Sequence, residues 1–302
     1  MNLSISTAES RHIARKYLYE QGRRYYRDLP RRHTENPWAI LVSEVMLQQT
    51  QVSRVAQRWP QWMERFPKPS VFASASLREV LDAWSGLGYN RRALNLYKAA
   101  GIIADTWRDE VPSSEEELLK LPGIGVYTAR AVLAFAFDLP SVFLETNIRT
   151  VYIRHFFAHS VRPDGKVPDR VLLEIGAALI EADSESVLSE LNAGPRLWYS
   201  ALMDYGAWIK QSEGNFSRHA ASYRSQAPFE GSERQLRGAV LKVLLEQGAV
   251  DIAELAELTG AERARLDHCL SRLASEGFIK IEAAAESGNP AEYGISLADV
   301  NE

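Results

Sequence analysis

Three short stretches hold residue types that could do chemistry. In VSEVMLQQT, Glu44 sits among apolar residues at helical spacing. Such an acid is either a solvated surface group or a proton donor in a cleft, where burial raises its pKa. In VFLETNIRTV, Glu145 lies two residues before Asn147, where a helical pattern begins. An acid in a first turn suits the helix dipole. Thr146 and Asn147 can accept hydrogen bonds from free backbone N–H groups, so a plain helix cap is the simplest reading. In LPGIGVYTARAVLAFAF, the run Leu121-Pro122-Gly123-Ile124-Gly125 makes a tight turn that opens directly into an apolar helix. Its glycines allow positive φ and close backbone approach. Free N–H groups at such a helix start bind an anion well, and phosphate is the usual one. A simple helix–turn–helix joint is the alternative.

These residues need a scaffold, and the pattern of the first two hundred residues is helix after helix. Apolar residues recur at three and four, as in Val42, Val45 and Met46, or Leu77, Val80, Leu81 and Trp84. Pro and Gly interrupt the run at short intervals, and strand-type alternation is nearly absent. The fold class expected is an all-α, two-lobed helical body over residues 1–210. A polar stretch rich in Ser, Arg, Gly and Gln follows over 211–233, as a linker or a DNA-contacting segment. From 234 to 302, three helical patterns precede two short strand patterns around a Ser-Gly-Asn-Pro turn. That order predicts a small winged-helix-like α+β domain.

Composition excludes several classes. The chain has 302 residues and a single cysteine, Cys269, so neither a disulfide framework nor a four-cysteine metal or iron–sulfur site can form. No apolar run is long enough to span a bilayer. The N-terminal stretch MNLSISTAESRHIARKYLYEQ lacks the apolar core of a secretory signal, so a cytoplasmic, nucleoid-associated location is expected. The net charge of −4 is uneven: residues 243–302 carry −8, and residues 1–242 carry +4. A mildly basic body is compatible with a phosphate-binding surface.

Taken in order, Ser43 to Val52, Gly86-Leu87-Gly88-Tyr89, the Leu-Pro-Gly-Ile-Gly hairpin, Glu145-Thr146-Asn147 and Leu202-Met203-Asp204-Tyr205-Gly206-Ala207 resemble the helix-hairpin-helix (HhH-GPD) DNA glycosylase superfamily. Within it, the MutY adenine glycosylases are the nearest pattern. The similarity spans about Arg24 to Lys210. The resemblance implies that Glu44 protonates a leaving adenine and helps activate water. It implies that Glu145, where the family has aspartate, stabilises the positively charged sugar of an oxocarbenium-like transition state. Tyr127 and Asn147 would position water and sugar. Tyr127 stands where strand-cutting relatives carry a Schiff-base lysine, so a monofunctional enzyme is expected. Arg32 would bind substrate, while Gln48, Gln49 and Tyr89 would wedge open the duplex as the target base flips out. Leu121, Gly123, Gly125 and Val126 would grip the DNA backbone.

Three departures from the family accompany the resemblance. The iron–sulfur loop should begin at Lys210, and its cysteines are missing, so no cofactor is expected. The family's Leu-Pro-Trp-Arg is Leu29-Pro30-Arg31-Arg32 here, without the stacking tryptophan. The MutT-like C-terminal domain is replaced by the winged-helix-like unit, whose contact could be DNA or protein. The expected partner is double-stranded DNA with a mismatched or damaged base, bound by a monomer. The expected activity is base-excision-repair N-glycosylase action, on adenine opposite guanine or 8-oxoguanine. The alternatives are thymine or uracil opposite guanine, an alkylated base, or a catalytically silent DNA-binding protein.

Overall fold

The computed structural model describes residues 3–157, 165–180, 193–283 and 293–298. In chain order its helices are α1 (Ala8–Arg24), α2 (Pro37–Leu47), α3 (Val52–Arg65), α4 (Pro69–Ala73), α5 (Leu77–Trp84), α6 (Arg91–Trp107), α7 (Glu115–Leu119), α8 (Val126–Phe137), α9 (Thr146–Phe156), α10 (Asp169–Ile180), α11 (Pro195–Ser212), α12 (Glu233–Gln247), α13 (Ile252–Thr259) and α14 (Arg263–Ser275). Three strands follow the same order, β1 (Val250–Asp251), β2 (Ile279–Ala283) and β3 (Tyr293–Leu297). The chain forms two compact units, each made of two separate stretches. The first is Met1–Gln48 with Glu110–Ser225, and the second is Gln49–Asp109 with Gln226–Glu302.

In the first unit, α11 packs chiefly against α1 and α9, and α2 packs against α8. The local sequence explains where these helices begin. Thr7 and Ser10 form a reciprocal capping box on α1. Asn36 accepts from the N–H groups of Trp38 (2.9 Å) and Ala39 (3.3 Å), and Pro37 occupies the first helical position of α2. Two glycines set how closely α11 can approach its neighbours. A Cβ at Gly22 of α1 would lie 2.4 Å from the carbonyl oxygen of Ala201, and one at Gly206 of α11 would lie 2.2 Å from that of Asn147. Both obstacles are backbone atoms, which cannot rotate away.

After α11 the chain is tied back onto the first unit. The Val167 N–H donates to His219 O (2.7 Å), the Ala221 N–H donates to Val167 O (2.9 Å), and Arg154 pairs with Glu213 at 2.5 Å. Residues 213–221 of the polar stretch are therefore fixed structure.

The second unit holds α3 to α6 and residues 226–302. β1 and β2 flank β3, both antiparallel, with Val250 opposite Ile295 and Ile281 opposite Ile295 from the other side. This is the winged-helix arrangement, with one strand more than the alternation suggests, because β1 is only two residues long. The Ser-Gly-Asn-Pro turn lies outside the described residues. Leu77, Leu81 and Leu94 of α5 and α6 share one apolar core with Leu236, Val240, Leu244, Leu270, Phe278 and Ile295. Arg78 donates to the last carbonyls of α12, Leu244 O (3.1 Å) and Leu245 O.

Gly206→Ala should destabilise the protein by about 1–3 kcal/mol, as overpacking against fixed backbone does. Gly101→Ala is the control, since a Cβ there meets nothing within 4 Å. Urea unfolding would measure both. An unchanged midpoint for Gly206→Ala would mean that this contact does not hold α9.

Candidate active site

Helix α2 is buried on every face, from Trp38 to Met46. Glu44 thus has no water-facing direction, and its side chain is 1% exposed. A carboxylate in such a place must find partners. Arg31 Nη1 donates to Oε1 at 2.7 Å, and the Tyr127 hydroxyl donates to Oε2 at 3.3 Å. Burial pushes the Glu44 carboxyl above the usual carboxylate range; the Arg31 charge and the bonds from Tyr127 and Arg31 oppose this. Burial also pushes the Tyr127 phenol far up, helped by the negative charges of Glu44 and Glu145. Tyr127 therefore stays a donor, with its ring edge against Phe143.

Glu145 caps α9, and the capping atom is its own Oε1 rather than a side-chain oxygen of Thr146 or Asn147. Oε1 accepts from the N–H groups of Asn147 (2.7 Å) and Ile148 (2.9 Å). Oε2 makes no hydrogen bond among the described residues. Burial raises the Glu145 carboxyl; the two N–H groups and the charges of Lys210 and Arg149 pull it back. Asn147 sits in the same first turn, held against Gly206. Glu44, Tyr127, Glu145 and Asn147 form one linked set: a hydrogen bond joins the first two, charge joins the next two, and the cap joins the last two.

Arg32, expected to bind substrate, borders the cleft beside this set and is held by buried partners. Its guanidinium forks onto the buried Asp204 (2.6 and 2.7 Å) and also donates to Arg27 O (2.8 Å) and Ser200 O (3.4 Å). Asp204 accepts from Arg27 Nε as well, at 2.6 Å. Arg32 is a clamp on the turn Pro30–His33, and its neighbour Arg31 faces Glu44 instead. Sequence reading noticed Arg31 only as a missing tryptophan. The signal was the arginine pair itself, but which one points inward depends on Asp204, 172 residues away.

Gln48 ends α2, and its side-chain amide donates to Thr128 Oγ1 at 3.0 Å within the first unit. Gln49 and Tyr89 belong to the second unit. Both have left-handed backbones, with φ of 57° and 51°. That conformation is uncommon for non-glycine residues and concentrates at functional sites. Thr50 Oγ1 donates to Leu87 O (3.1 Å), and Arg92 Nη2 donates to Thr50 Oγ1 (3.0 Å) and Gly88 O (2.8 Å), tying the two loops together. The Tyr89 hydroxyl meets Gln226 and Arg234.

In the hairpin, Gly123 has a φ of +77°. No side chain caps α8, and Gly123, Gly125 and Val126 are exposed, so the first turn leaves donors for an outside acceptor. Leu121 departs from this set. Its side chain is buried and its N–H donates to Leu118 O at 3.1 Å, so it anchors the turn from inside.

Residues 42–173 match the model of the HhH-GPD superfamily of base excision DNA repair proteins. The adenine DNA glycosylase of Mycobacterium tuberculosis is 36% identical over 301 aligned positions, covering 91% of this chain and 92% of that protein. That of Mycolicibacterium smegmatis is 37% identical, covering 90% and 96%. Coverage this long extends well past Lys210, into the second unit's C-terminal stretch. Among solved structures, a thermostable thymine-DNA glycosylase superposes with a TM-score of 0.55 at 22% identity, over 70% of this chain and 96% of that one. Endonuclease III in a non-covalent DNA complex gives 0.50 at 21%, over 72% and 90%. These two likenesses concern the fold alone. With relatives this similar along nearly their whole length, the chain belongs to the HhH-GPD superfamily of base excision DNA repair proteins, in the family of the adenine DNA glycosylases.

Proposed function

We propose that the protein is a monofunctional DNA N-glycosylase that hydrolyses the N-glycosidic bond of adenine opposite guanine or 8-oxoguanine. The linked set Glu44–Tyr127–Glu145–Asn147, on a chain whose relatives are adenine DNA glycosylases, carries this reading. Protonated Glu44 gives its proton to a ring nitrogen of the base. The glycosidic bond then breaks, with its electron pair leaving on the base, and the sugar becomes cationic. The resulting Glu44 carboxylate takes a proton from the water that adds to the sugar. Glu145 lies on the same connected set with one oxygen fixed by the cap and the other free of bonds, so its charge can face the sugar cation. The two cap bonds hold in place a side chain one methylene longer than the family aspartate. Asn147 supports the sugar and Tyr127 the water.

Tyr127 supports the monofunctional assignment, because a phenol cannot form an imine with the sugar. Lys120, the nearest lysine in sequence, is exposed and paired with Glu116 at 2.9 Å. We also infer that no iron–sulfur cluster takes part. The only cysteine, Cys269, is buried in the core of the second unit, and the first expected ligand position is Lys210, whose charge acts on Glu145. The exposed turn Gly123–Val126 is the inferred phosphate grip. The C-terminal stretch is assigned a packing role, since its core is shared with α5 and α6 and its −8 charge repels phosphate. A guanidinium in place of the family tryptophan, and Glu145 in place of the family aspartate, are the features favouring another base.

Single-turnover base release from duplexes bearing A opposite 8-oxoguanine, A opposite G, T or U opposite G, and alkylated bases is the direct test. The expected outcome is release of adenine only, strand breaks only after alkali, and a rate unaffected by a metal chelator. Release of thymine or uracil instead would overturn the adenine assignment. Glu44→Gln should cut the rate by about 10²–10⁴-fold. Because folding raises the Glu44 pKa, its ionisation costs stability as pH rises through that raised value. Glu44→Gln removes that cost but leaves Arg31 without its counter-charge, so retained duplex binding and a cooperative thermal transition at pH 8 are what separate lost chemistry from lost fold. Glu145→Gln keeps a capping oxygen but removes the charge. It should slow release about a hundredfold or more with little change in thermal unfolding; a rate near that of the parent would reduce Glu145 to a cap.

A further inference from the structure

The two adjacent arginines of the turn Pro30–His33 are held very differently. Arg32 is clamped by the Asp204 fork and two carbonyls. Arg31 makes one strong bond, to Glu44, and one weak contact from Nη2 to the Met203 sulfur at 3.8 Å. Its Nε, like that of Arg32, is buried with no hydrogen-bond partner, and its guanidinium lies over the Phe135 ring at 5.1 Å. Arg31 and Arg32 both line a cleft with Tyr26, Thr34, Ile40 and Phe135, and Glu44 does not. Arg31 thus borders that cleft and touches the acid.

Both oxygens of Glu44 are occupied, by Arg31 and by Tyr127. The tyrosine contact is compatible with a protonated carboxyl, since a hydroxyl can accept as well as donate. The arginine contact opposes protonation, because a fixed positive charge at 2.7 Å favours the carboxylate. An acid cannot reach a base past the group that covers it.

We propose that Arg31 is a positioning residue that latches Glu44. Its ion pair covers the carboxyl and favours the ionised form in the free protein, and the flipped base must turn the guanidinium aside before Glu44 can deliver a proton. The inference rests on the glycosylase reading above. A single strong bond, one unpaired buried N–H and an adjoining cleft give the side chain somewhere to go. The groups acting on Glu44 are Arg31 from the turn and Tyr127 from α8, with Glu145 acting on Tyr127 in turn.

Arg31→Met keeps the packing on Met203 and Phe135 and removes the charge. Two readouts are needed. The first is the midpoint of the Glu44 carboxyl in DNA-free protein, by difference infrared titration against Glu44→Gln. The second is the pH profile of single-turnover release. Removing Arg31 removes a group that lowers the Glu44 pKa, so the midpoint should rise. A rise of about one pH unit gives about tenfold more protonated acid on the alkaline side. The alkaline limb of the rate should move with it, leaving release at pH 8 faster than in the parent protein. Arg31→Lys, which keeps the charge, should return both toward the parent. Should Arg31→Met not fold, Arg31→Gln reads the same two quantities. An unmoved midpoint, or a rate lowered equally at every pH, overturns the latch. If the midpoint moves but the parent protein itself releases no base, the glycosylase reading fails and the pair is structural only.

Discussion

A carboxylate sealed inside an apolar helix is tolerable only with partners, and much of the first unit follows from that constraint. Leaving one such charge unpaired costs several kcal/mol. Arg31 supplies the counter-charge from the turn Pro30–His33. The turn is held by Arg32 on Asp204, and Asp204 is carried by α11. Helix α11 reaches its place because Gly22 and Gly206 let it lie against α1 and the first turn of α9. That first turn carries Glu145 and Asn147. The acid, its counter-charge and the second carboxylate are therefore consequences of a single packing arrangement.

How far the sequence disclosed this depends on the distance between partners. The helices, the glycine hairpin and the three-helix-plus-hairpin C-terminal order were legible because capping, periodicity and turn chemistry are local. Glu44 and Tyr127 were legible as types in motifs, though their 3.3 Å contact joins residues 83 apart. The inward turn of Leu121, the Arg32–Asp204 fork and the direction of Arg31 were not, since each is settled by packing that spacing cannot encode. Glu145 shows a different limit. Spacing offers the cap and the charged site residue as alternatives, whereas one oxygen performs the cap and the other makes no hydrogen bond among the described residues.

The second unit concentrates strain where the first concentrates charge. Gln49 and Tyr89 occupy left-handed backbone conformations that cost of order 1–3 kcal/mol each. Arg92 secures both loops through Thr50, Leu87 and Gly88, and the Tyr89 hydroxyl is met by Gln226 and Arg234. The acidic C-terminal stretch is joined to the same unit by an apolar core.

Each unit is assembled from chain segments far apart in sequence, and this has a consequence for synthesis. Leu77, Leu81 and Leu94 share their core with residues from Leu236 onward. A ribosome adding roughly 5–20 residues per second takes on the order of ten seconds to cover that interval. During this time the nascent α5 and α6 carry an unfilled apolar face, the kind of surface that chaperones bind and that aggregates form from. The first unit's stretch Glu110–Ser225 emerges meanwhile, so the protein passes through a stage with one unit able to close and the other waiting.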